Sequence, residues 1–271
     1  MPELPEIVVF AGQMNQTLLG KTILAAEAIQ PKSLNLPSKK FQKSLQDERI
    51  DRVRAFGKWL DVELSHCHLL INLGMGGELL YHPDGNRPPA KRHCLLTLRD
   101  KAYISISFWW FGYLHLVRET SEHPTVGRLG VDPLSAEFSI EILQKLLTAR
   151  RGAIKSLLLN QQVIAGIGNF YIQEILFRAR LHPLRPVGSL SREETRSLHK
   201  SIQSVFTESI SKGSSEFEWD FFGHAGDFGA KDMAVGYKLG EPCPACGTPV
   251  EKIRTGGTAQ YICPQCQVLD K

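Results

Sequence analysis

The chain has 271 residues, of which 42% are hydrophobic and 22% are charged, so it can form one large or two ordinary globular domains. This composition excludes a disordered chain. Because no apolar run approaches the roughly 20 residues of a membrane span, we expect no membrane partner. A net charge of only +4 permits a nucleic-acid partner but does not demand one. The first residues carry no basic segment followed by an apolar stretch, so we expect no signal peptide and a cytoplasmic location.

The first 117 residues predict one helix followed by short strands. Apolar positions recur at helical spacing over 5–19, and Gly20 is a suitable stop. From 22 to 117 the pattern changes to short apolar runs that are typical of strands. The clearest runs are 58–64, 94–98 and 103–106, and a turn cluster at 82–86 separates such runs. We therefore predict an antiparallel β-sandwich with an N-terminal helix in residues 1–117.

The second half predicts helices. Residues 118–135 are polar and contain Pro and Gly, which is typical of a linker. Ser191 and Glu194 form a capping-box pattern at the start of the last helix. Residues 213–234 are rich in Gly and aromatic residues without a period, which indicates a loop or a mobile flap at the end of a helical domain over 136–234. The predicted helices are 138–149, 153–161, 169–180 and 190–211.

Six cysteines are unevenly distributed. Cys67 and Cys94 stand alone beside apolar runs and are expected to be small buried residues. The other four form two CxxC pairs in residues 235–271, which is the usual spacing for four thiolates around one structural zinc ion. A redox motif would need one CxxC at a helix start in an α/β domain, and that context is missing. The predicted zinc ligands are Cys243, Cys246, Cys263 and Cys266.

The amino terminus combines a proline with two acids. Removal of Met1 would leave Pro2 as a free secondary amine, which can attack an aldehyde carbon and form a Schiff base. Glu3 and Glu6 could then move protons. The alternative is that the prolines only start a helix and the acids favour its positive end.

A second cluster lies at 165–174, where two glycines precede a predicted helix start near Asn169. Glycines allow close backbone approach to phosphate, and a helix start favours anions. Upstream, Arg150, Arg151 and Lys155 form a basic stretch suited to a phosphodiester backbone. The alternative is an ordinary helix–turn–helix with solvated charges.

Together these motifs resemble the formamidopyrimidine-DNA glycosylase and endonuclease VIII family over nearly the whole chain. The residues that carry the resemblance are 2–6, 56–58, 73–75, 165–174 with Phe177, Ala179, His182 and Pro183, and the four-cysteine finger. Leu4 is like the formamidopyrimidine-type branch, whereas the endonuclease VIII branch usually has glycine there.

The resemblance implies an α+β multidomain fold: an N-terminal helix with an antiparallel β-sandwich, a helix–two-turn–helix domain and a C-terminal zinc-finger hairpin. It also implies a monomeric base-excision-repair DNA glycosylase with AP lyase activity. Such an enzyme acts on damaged double-stranded DNA after flipping out an oxidised or ring-opened base. It needs zinc for structure and no redox cofactor.

The resemblance also implies roles for individual residues. Pro2 would be the nucleophile on C1′, Glu3 the acid/base that opens the sugar ring, and Lys58 a phosphate contact that assists β-elimination. Met75 would enter the gap left by the flipped base. The positions that match DNA-binding residues are Met75, His93, Trp109, Phe111, Arg151, Lys155 and Asn169. The candidate accessory positions are Glu6, Glu174 and Thr258.

The chain departs from the family pattern at four places. Thr258 stands where an arginine clamps phosphate, which puts δ-elimination and DNA affinity in doubt. Trp109 and Trp110 replace two arginines, one of which reads the base opposite the lesion, so we expect weak selectivity for cytosine. Asn72 replaces a histidine. The segment 224–228 lacks a lysine-rich motif, which puts 8-oxoguanine recognition in doubt.

These departures leave alternatives open. The altered flap is compatible with an enzyme for oxidised pyrimidines, like endonuclease VIII. The missing arginines are compatible with a protein that binds DNA damage or abasic sites and has lost catalysis. An unrelated zinc-ribbon protein would leave the N-terminal and Gly-Asn motifs unexplained.

Overall fold

The computed structural model describes residues 1–83 and 89–269. Most of the turn predicted at 82–86 therefore lies outside the described residues. Among the residues that are described, no helix is both long and apolar enough to cross a bilayer.

Internal contacts divide the chain into two compact units. The first unit comprises 1–128 together with 212–227, and the second comprises 129–211 together with the residues from 228 onward. The sequence pattern instead grouped 213–234 with the helical domain. The reason for the difference is Phe221, which is fully buried in the core of the first unit and whose backbone carbonyl accepts a hydrogen bond from Tyr81 N at 2.9 Å.

The first unit is the predicted helix and β-sandwich. Helix α1 spans Leu4–Leu18 and α2 spans Ser38–Leu45. One sheet has the order β1-β6-β7-β5 and the other β2-β3-β4-β8, with every pair antiparallel. The strands are β1 (Ile23–Ala28), β2 (Ile50–Phe56), β3 (Trp59–Leu64), β4 (His68–Asn72), β5 (Glu78–His82), β6 (Cys94–Leu98), β7 (Tyr103–Ser107) and β8 (Tyr113–Val117).

The core of this unit explains why helix and sheets form together. Apolar side chains from both sheets form one buried cluster, which α1 covers with residues at helical spacing. The α1 residues in this cluster are Ile7, Phe10, Ala11, Met14 and Leu18.

The sequence does not predict helix α2, because the stretch 22–117 shows only short apolar runs that are typical of strands. Phe41 and Leu45 are fully buried and stand one turn apart, and they are the only two residues of α2 that are buried. Two apolar positions are too few to show a helical period in the sequence. The fold of the first unit is otherwise the one predicted.

The second unit is helical and ends in a hairpin. All four predicted helices are present, and the capping box at the start of α6 is confirmed, since Glu194 N donates to Ser191 Oγ at 3.1 Å and Ser191 N to Glu194 Oε2 at 2.7 Å. The elements are α3 (Ile140–Thr148), α4 (Ile154–Leu158), α5 (Tyr171–Arg178), α6 (Arg192–Ser211), β9 (Glu251–Thr255) and β10 (Thr258–Ile262).

Candidate active site and nucleic-acid interface

The amino terminus of the first unit is a buried cluster of acids around the start of α1. Pro2, Glu3 and Glu6 are all buried. Glu3 is the N-cap residue of α1. Its side chain accepts from the backbone of Glu6, while Glu3 N donates to Glu6 Oε2 at 2.7 Å. This reciprocal capping box satisfies two backbone donors and fixes both carboxylates at the start of α1.

The second oxygen of Glu6 connects α1 to the segment 212–227. Ser215 N donates to Glu6 Oε1 at 3.1 Å, and both residues are buried. Further along the segment, Gln13 Nε2 donates to Asp220 Oδ2 at 2.7 Å. The predicted loop is therefore anchored on α1 at two places.

Glu218 on this segment faces the terminal amine, and sequence reasoning missed it. The Met1 ammonium lies 2.9 Å from Glu218 Oε1. Burial raises the pKa of the Glu218 carboxyl; the ammonium opposes this, and the nearby Glu3 carboxylate adds to it. No local pattern could have identified Glu218, because it meets the amine only through the fold.

Lys58 lies in the tight turn between β2 and β3. Gly57 precedes it with φ 56°, a conformation that glycine adopts without strain, and Phe56 pairs with Trp59 across the turn. Asn72, the residue that replaces a histidine, donates from Nδ2 to the Lys58 carbonyl at 2.8 Å. Its Oδ1 accepts from Gly74 N at 3.1 Å. Asn72 thus joins the Lys58 turn to the loop that carries Met75.

Met75 and the aromatic residues after Phe108 lie on two paired loops. Met75 and Trp110 exchange backbone hydrogen bonds of 2.9 and 3.2 Å. Their neighbours are tightly packed, because a Cβ on Gly74 would lie 2.1 Å from Trp110 O. Trp109 and Phe111 are 77% and 69% exposed, so this is an apolar surface held by a rigid backbone. We call Met75 with residues 109–111 the aromatic loop surface.

His93 lines a pocket of about 270 Å³ beside this surface. Its Nδ1 accepts from Phe108 N at 2.9 Å, which places the proton of a neutral ring on Nε2. Lys32 and Trp109 line the same pocket. A donor nitrogen and an ammonium at one pocket suit a phosphate or a base edge.

In the second unit, Lys155 is buried against the hairpin of β9 and β10. Its ammonium donates to Thr255 Oγ1 at 2.7 Å and to Thr258 Oγ1 at 2.9 Å. Neither partner is charged, and burial lowers the pKa of Lys155. Thr258 Oγ1 in turn donates to the Thr255 carbonyl at 3.3 Å. The hydroxyl that replaces the family arginine is thus already engaged within the protein.

Asn169 is exposed just before α5. The glycine loop before it is held by Gln161, whose Oε1 accepts from Gly166 N at 2.8 Å and whose Nε2 donates to Ile167 O at 2.8 Å. Gln173 Nε2 donates to Asn169 O at 3.0 Å, and its Oε1 accepts from Tyr261 N at 2.9 Å. The sequence gives Gln161 no motif, and Gln173, although it lies within the 165–174 cluster, is not singled out there.

Arg151 and Glu174 have different surroundings. Arg151 is exposed and lines a pocket of about 380 Å³ together with Arg150. Glu174 is buried, and its two oxygens accept from Arg178 Nε at 2.7 Å and from Ala234 N at 2.8 Å. Both oxygens of Glu174 are thus engaged within the second unit.

The four predicted zinc ligands come together at the base of the hairpin. Their sulfurs all lie within 4.8 Å of one another, with Sγ–Sγ distances of 3.4 Å (Cys246–Cys263), 3.5 Å (Cys246–Cys266) and 3.9 Å (Cys243–Cys266). Tetrahedral zinc with bonds of about 2.3 Å requires sulfur separations of roughly 3.8 Å, whereas a disulfide requires about 2.05 Å. The cluster therefore fits a structural zinc ion.

The two other cysteines lie in the first unit. Burial raises the pKa of Cys67 to about 11 and that of Cys94 to about 12, so both stay protonated thiols near neutral pH. Cys94 is buried in the core as expected, whereas Cys67 is only partly buried and packs against that core.

Three family models match the chain. The formamidopyrimidine-DNA glycosylase N-terminal domain matches residues 1–107, and the formamidopyrimidine-DNA glycosylase H2TH domain matches 129–219. A zinc finger found in FPG and IleRS matches 240–268. Together these models cover most of the chain.

Curated and solved relatives agree with these matches. The formamidopyrimidine-DNA glycosylase of Streptococcus pneumoniae is 31% identical over the full length of both chains. That of Symbiobacterium thermophilum is 34% identical, covering 98% of this chain and 89% of the relative. The crystal structure of MutM (Fpg) from Thermus thermophilus superimposes with a TM-score of 0.87 at 33% identity, covering 98% of each chain. Lactococcus lactis Fpg bound to abasic-site DNA gives a TM-score of 0.90 at 26% identity, covering 98% of this chain and all of that one.

Proposed function

Because this chain belongs to the formamidopyrimidine-DNA glycosylase family, and is therefore a base-excision-repair DNA glycosylase with AP lyase activity, we propose that it works through the amine of Pro2. The observation that carries this proposal is the buried capping box, which holds the Glu3 carboxylate beside the chain terminus. Zinc bound by the four cysteines stabilises the finger and takes no part in the chemistry.

The proposed reaction begins with attack by the neutral Pro2 nitrogen on C1′ of the damaged nucleotide. The N–C1′ bond forms while the bond to the base breaks, and the base leaves with that electron pair and takes up a proton. The nitrogen then releases its remaining proton. Glu3 protonates the ring oxygen as the C1′–O4′ bond opens, which gives the iminium. Loss of a proton from C2′ expels the 3′ phosphate, assisted by Lys58.

DNA contacts are proposed in both units. The aromatic loop surface presents exposed rings that can stack on bases and fill the gap left by a flipped nucleotide. Arg151 and Asn169 are exposed and can reach phosphate, while His93 and Lys155 contribute donors at a pocket and at the finger hairpin. A monomeric state and a cytoplasmic location remain predictions.

We propose damaged purines as the substrate class, because Leu4 is like the formamidopyrimidine-type branch and the relatives carry that name. A panel of duplexes, each with a single lesion opposite each of the four bases, tests this directly. Faster release of oxidised pyrimidines than of ring-opened purines would refute the purine assignment and support the endonuclease VIII-like alternative.

Borohydride trapping on abasic-site DNA tests the chemistry. Reduction of the iminium should join the processed protein covalently to the DNA, with mass spectrometry confirming that Met1 is absent. Pro2→Gly and a preparation that retains Met1 are the controls, and neither should form the adduct efficiently. A processed wild-type protein that binds abasic DNA without forming an adduct would contradict the proposal.

A further inference from the structure

The catalytic groups proposed above leave one acid near the amino terminus unassigned. Glu218 lies 2.9 Å from the terminal ammonium, on a segment more than 200 residues away along the chain. Its side chain is only 17% exposed, which is low for a carboxylate on a loop. A partly buried acid that faces the reacting amine can act on that amine directly.

The segment that carries Glu218 is held in place by independent contacts on both sides. Before it, Ser215 N donates to buried Glu6. After it, the Asp220 carboxylate accepts from Gln13, and Phe221 N donates to Gln13 Oε1 at 2.9 Å. Glu218 is therefore positioned by α1 itself, the helix that begins two residues after Pro2.

Removal of Met1 transfers the positive charge to Pro2. One residue shifts the amine by at most about 3.8 Å, so the Pro2 nitrogen lies within about 7 Å of Glu218 Oε1. In the chain that carries Met1, Pro2 is itself buried. An ammonium has no lone pair for attack, so it must lose its proton before the N–C1′ bond can form, and a carboxylate near it can accept that proton.

We propose that Glu218 is a positioning residue that holds the amine of Pro2 and accepts its proton before attack. This rests on the proposed function of Pro2. In the step, one proton passes from the secondary ammonium to the Glu218 carboxylate, which leaves a neutral amine and a neutral carboxyl group; no other bond changes. Glu3 takes no part in this step and remains the acid for the ring oxygen.

Glu218, the terminal ammonium and Glu3 determine how the trapping rate is expected to depend on pH. Glu218 interacts with the ammonium and with Glu3, and burial together with Glu3 makes it a stronger base than an exposed glutamate. Its negative charge also favours the protonated amine. Replacing Glu218 by glutamine removes that charge, so the amine should lose its proton at lower pH. The same replacement also removes the carboxylate that accepts the proton.

Glu218→Gln tests this by single-turnover borohydride trapping between pH 5 and 9. We expect the plateau rate to fall about 100-fold, because the amine is already neutral there and what is lost is the contact that holds it in position. We also expect the acidic limb of the profile to move to lower pH. Glu218→Asp should recover part of the rate, and Glu122→Gln, which removes an exposed acid of the same unit, should match the wild type.

The other outcomes overturn the inference in distinguishable ways. A wild-type rate for Glu218→Gln at every pH refutes it. A uniform loss without movement of the acidic limb, or a lowered unfolding temperature that accounts for the loss, assigns Glu218 to anchoring the segment only. If the processed wild-type protein forms no adduct while it still binds DNA, the Pro2 chemistry fails, and this inference fails with it.

Discussion

In the first unit the buried charges around the amino terminus are carboxylates, whereas in the second unit the buried charge at the finger hairpin is an ammonium. Glu3 and Glu6 satisfy backbone N–H groups at a helix start, and Glu218 faces the amine. Lys155 instead donates to two neutral threonine hydroxyls. Each arrangement costs solvation energy, but only the first is compensated by opposite charge or helix-start donors.

This difference indicates that the buried charges of the two units have different functions. Carboxylates next to an amine can exchange protons, which glycosidic bond cleavage requires. A buried ammonium with neutral partners keeps a positive potential that attracts phosphate. The low net charge of +4 is thus compatible with DNA binding, since local placement matters more than the total.

The largest expected effect is at Glu3. Glu3→Gln keeps a side-chain oxygen for the capping box but cannot donate and accept protons as a carboxyl group does. We expect base release in single turnover to fall by about 10²–10⁴-fold with little change in unfolding temperature. Glu122→Gln serves as the matched control. If Glu3→Gln released the base at nearly the wild-type rate, Glu3 would not be a proton-exchanging group, and the proposed contrast between the two units would be wrong.

The next effect concerns the finger. Cys263→Ser should lower the zinc content from about one ion per chain to near zero, measured by elemental analysis, because a three-thiolate site binds structural zinc poorly. DNA binding in a gel-shift assay should weaken with it, since the β9–β10 hairpin loses its base. Cys67→Ser, a cysteine outside the cluster, should keep both zinc and binding. Unchanged zinc content in Cys263→Ser would disprove the four-ligand site.

Lys155→Met tests whether the ammonium attracts DNA from its buried position. We expect binding to weaken about tenfold on all sequences, with a salt slope reduced by about 1, because one phosphate-directed charge is lost. Thr258→Val removes one hydroxyl partner and keeps the charge, so its salt slope should equal that of the wild type. Equal slopes for Lys155→Met and wild type would show that Lys155 only supports the hairpin.

The lowered pKa of Lys155 also predicts that the free energy of unfolding depends on pH. Burial lowers the pKa of Lys155 below its usual 10.5, so between the two values the unfolded chain binds more protons than the folded one. The free energy of unfolding should therefore rise with pH across that interval. In Lys155→Met this contribution is absent. The urea midpoint of the wild type should therefore rise relative to that of Lys155→Met as the pH increases toward 10.5.

The last prediction concerns the aromatic loop surface and its selectivity for the base opposite the lesion. The wild type should show little preference for the base opposite the lesion, because an indole cannot read the edge of cytosine. Trp109→Arg should raise the preference for cytosine about tenfold, since one bidentate contact is worth about 1–3 kcal/mol. Trp110→Arg controls for added charge on the same loop. A strong cytosine preference in the wild type would contradict our interpretation of Trp109.

Much of this protein could be predicted from local patterns. Helix α1 and the four helices of the second unit have enough apolar positions to show a period, and two CxxC pairs specify four thiolates regardless of the rest of the chain. Helix α2, with two buried apolar residues, could not be predicted in this way. Asp61 lies in an alternating strand where a solvent-facing acid would be expected, yet it is fully buried and paired with Arg54 and His68.

The sequence by itself determined the family, the zinc ligands and the candidate nucleophile, because each depends on residue types at short fixed spacings. Only the tertiary structure decided which distant residues meet. It brought Glu218 to the terminal amine, and it engaged Thr258 with Lys155. Such pairings depend on how a loop is anchored and on which side chains are left buried together, and neither has a period or a motif in the sequence.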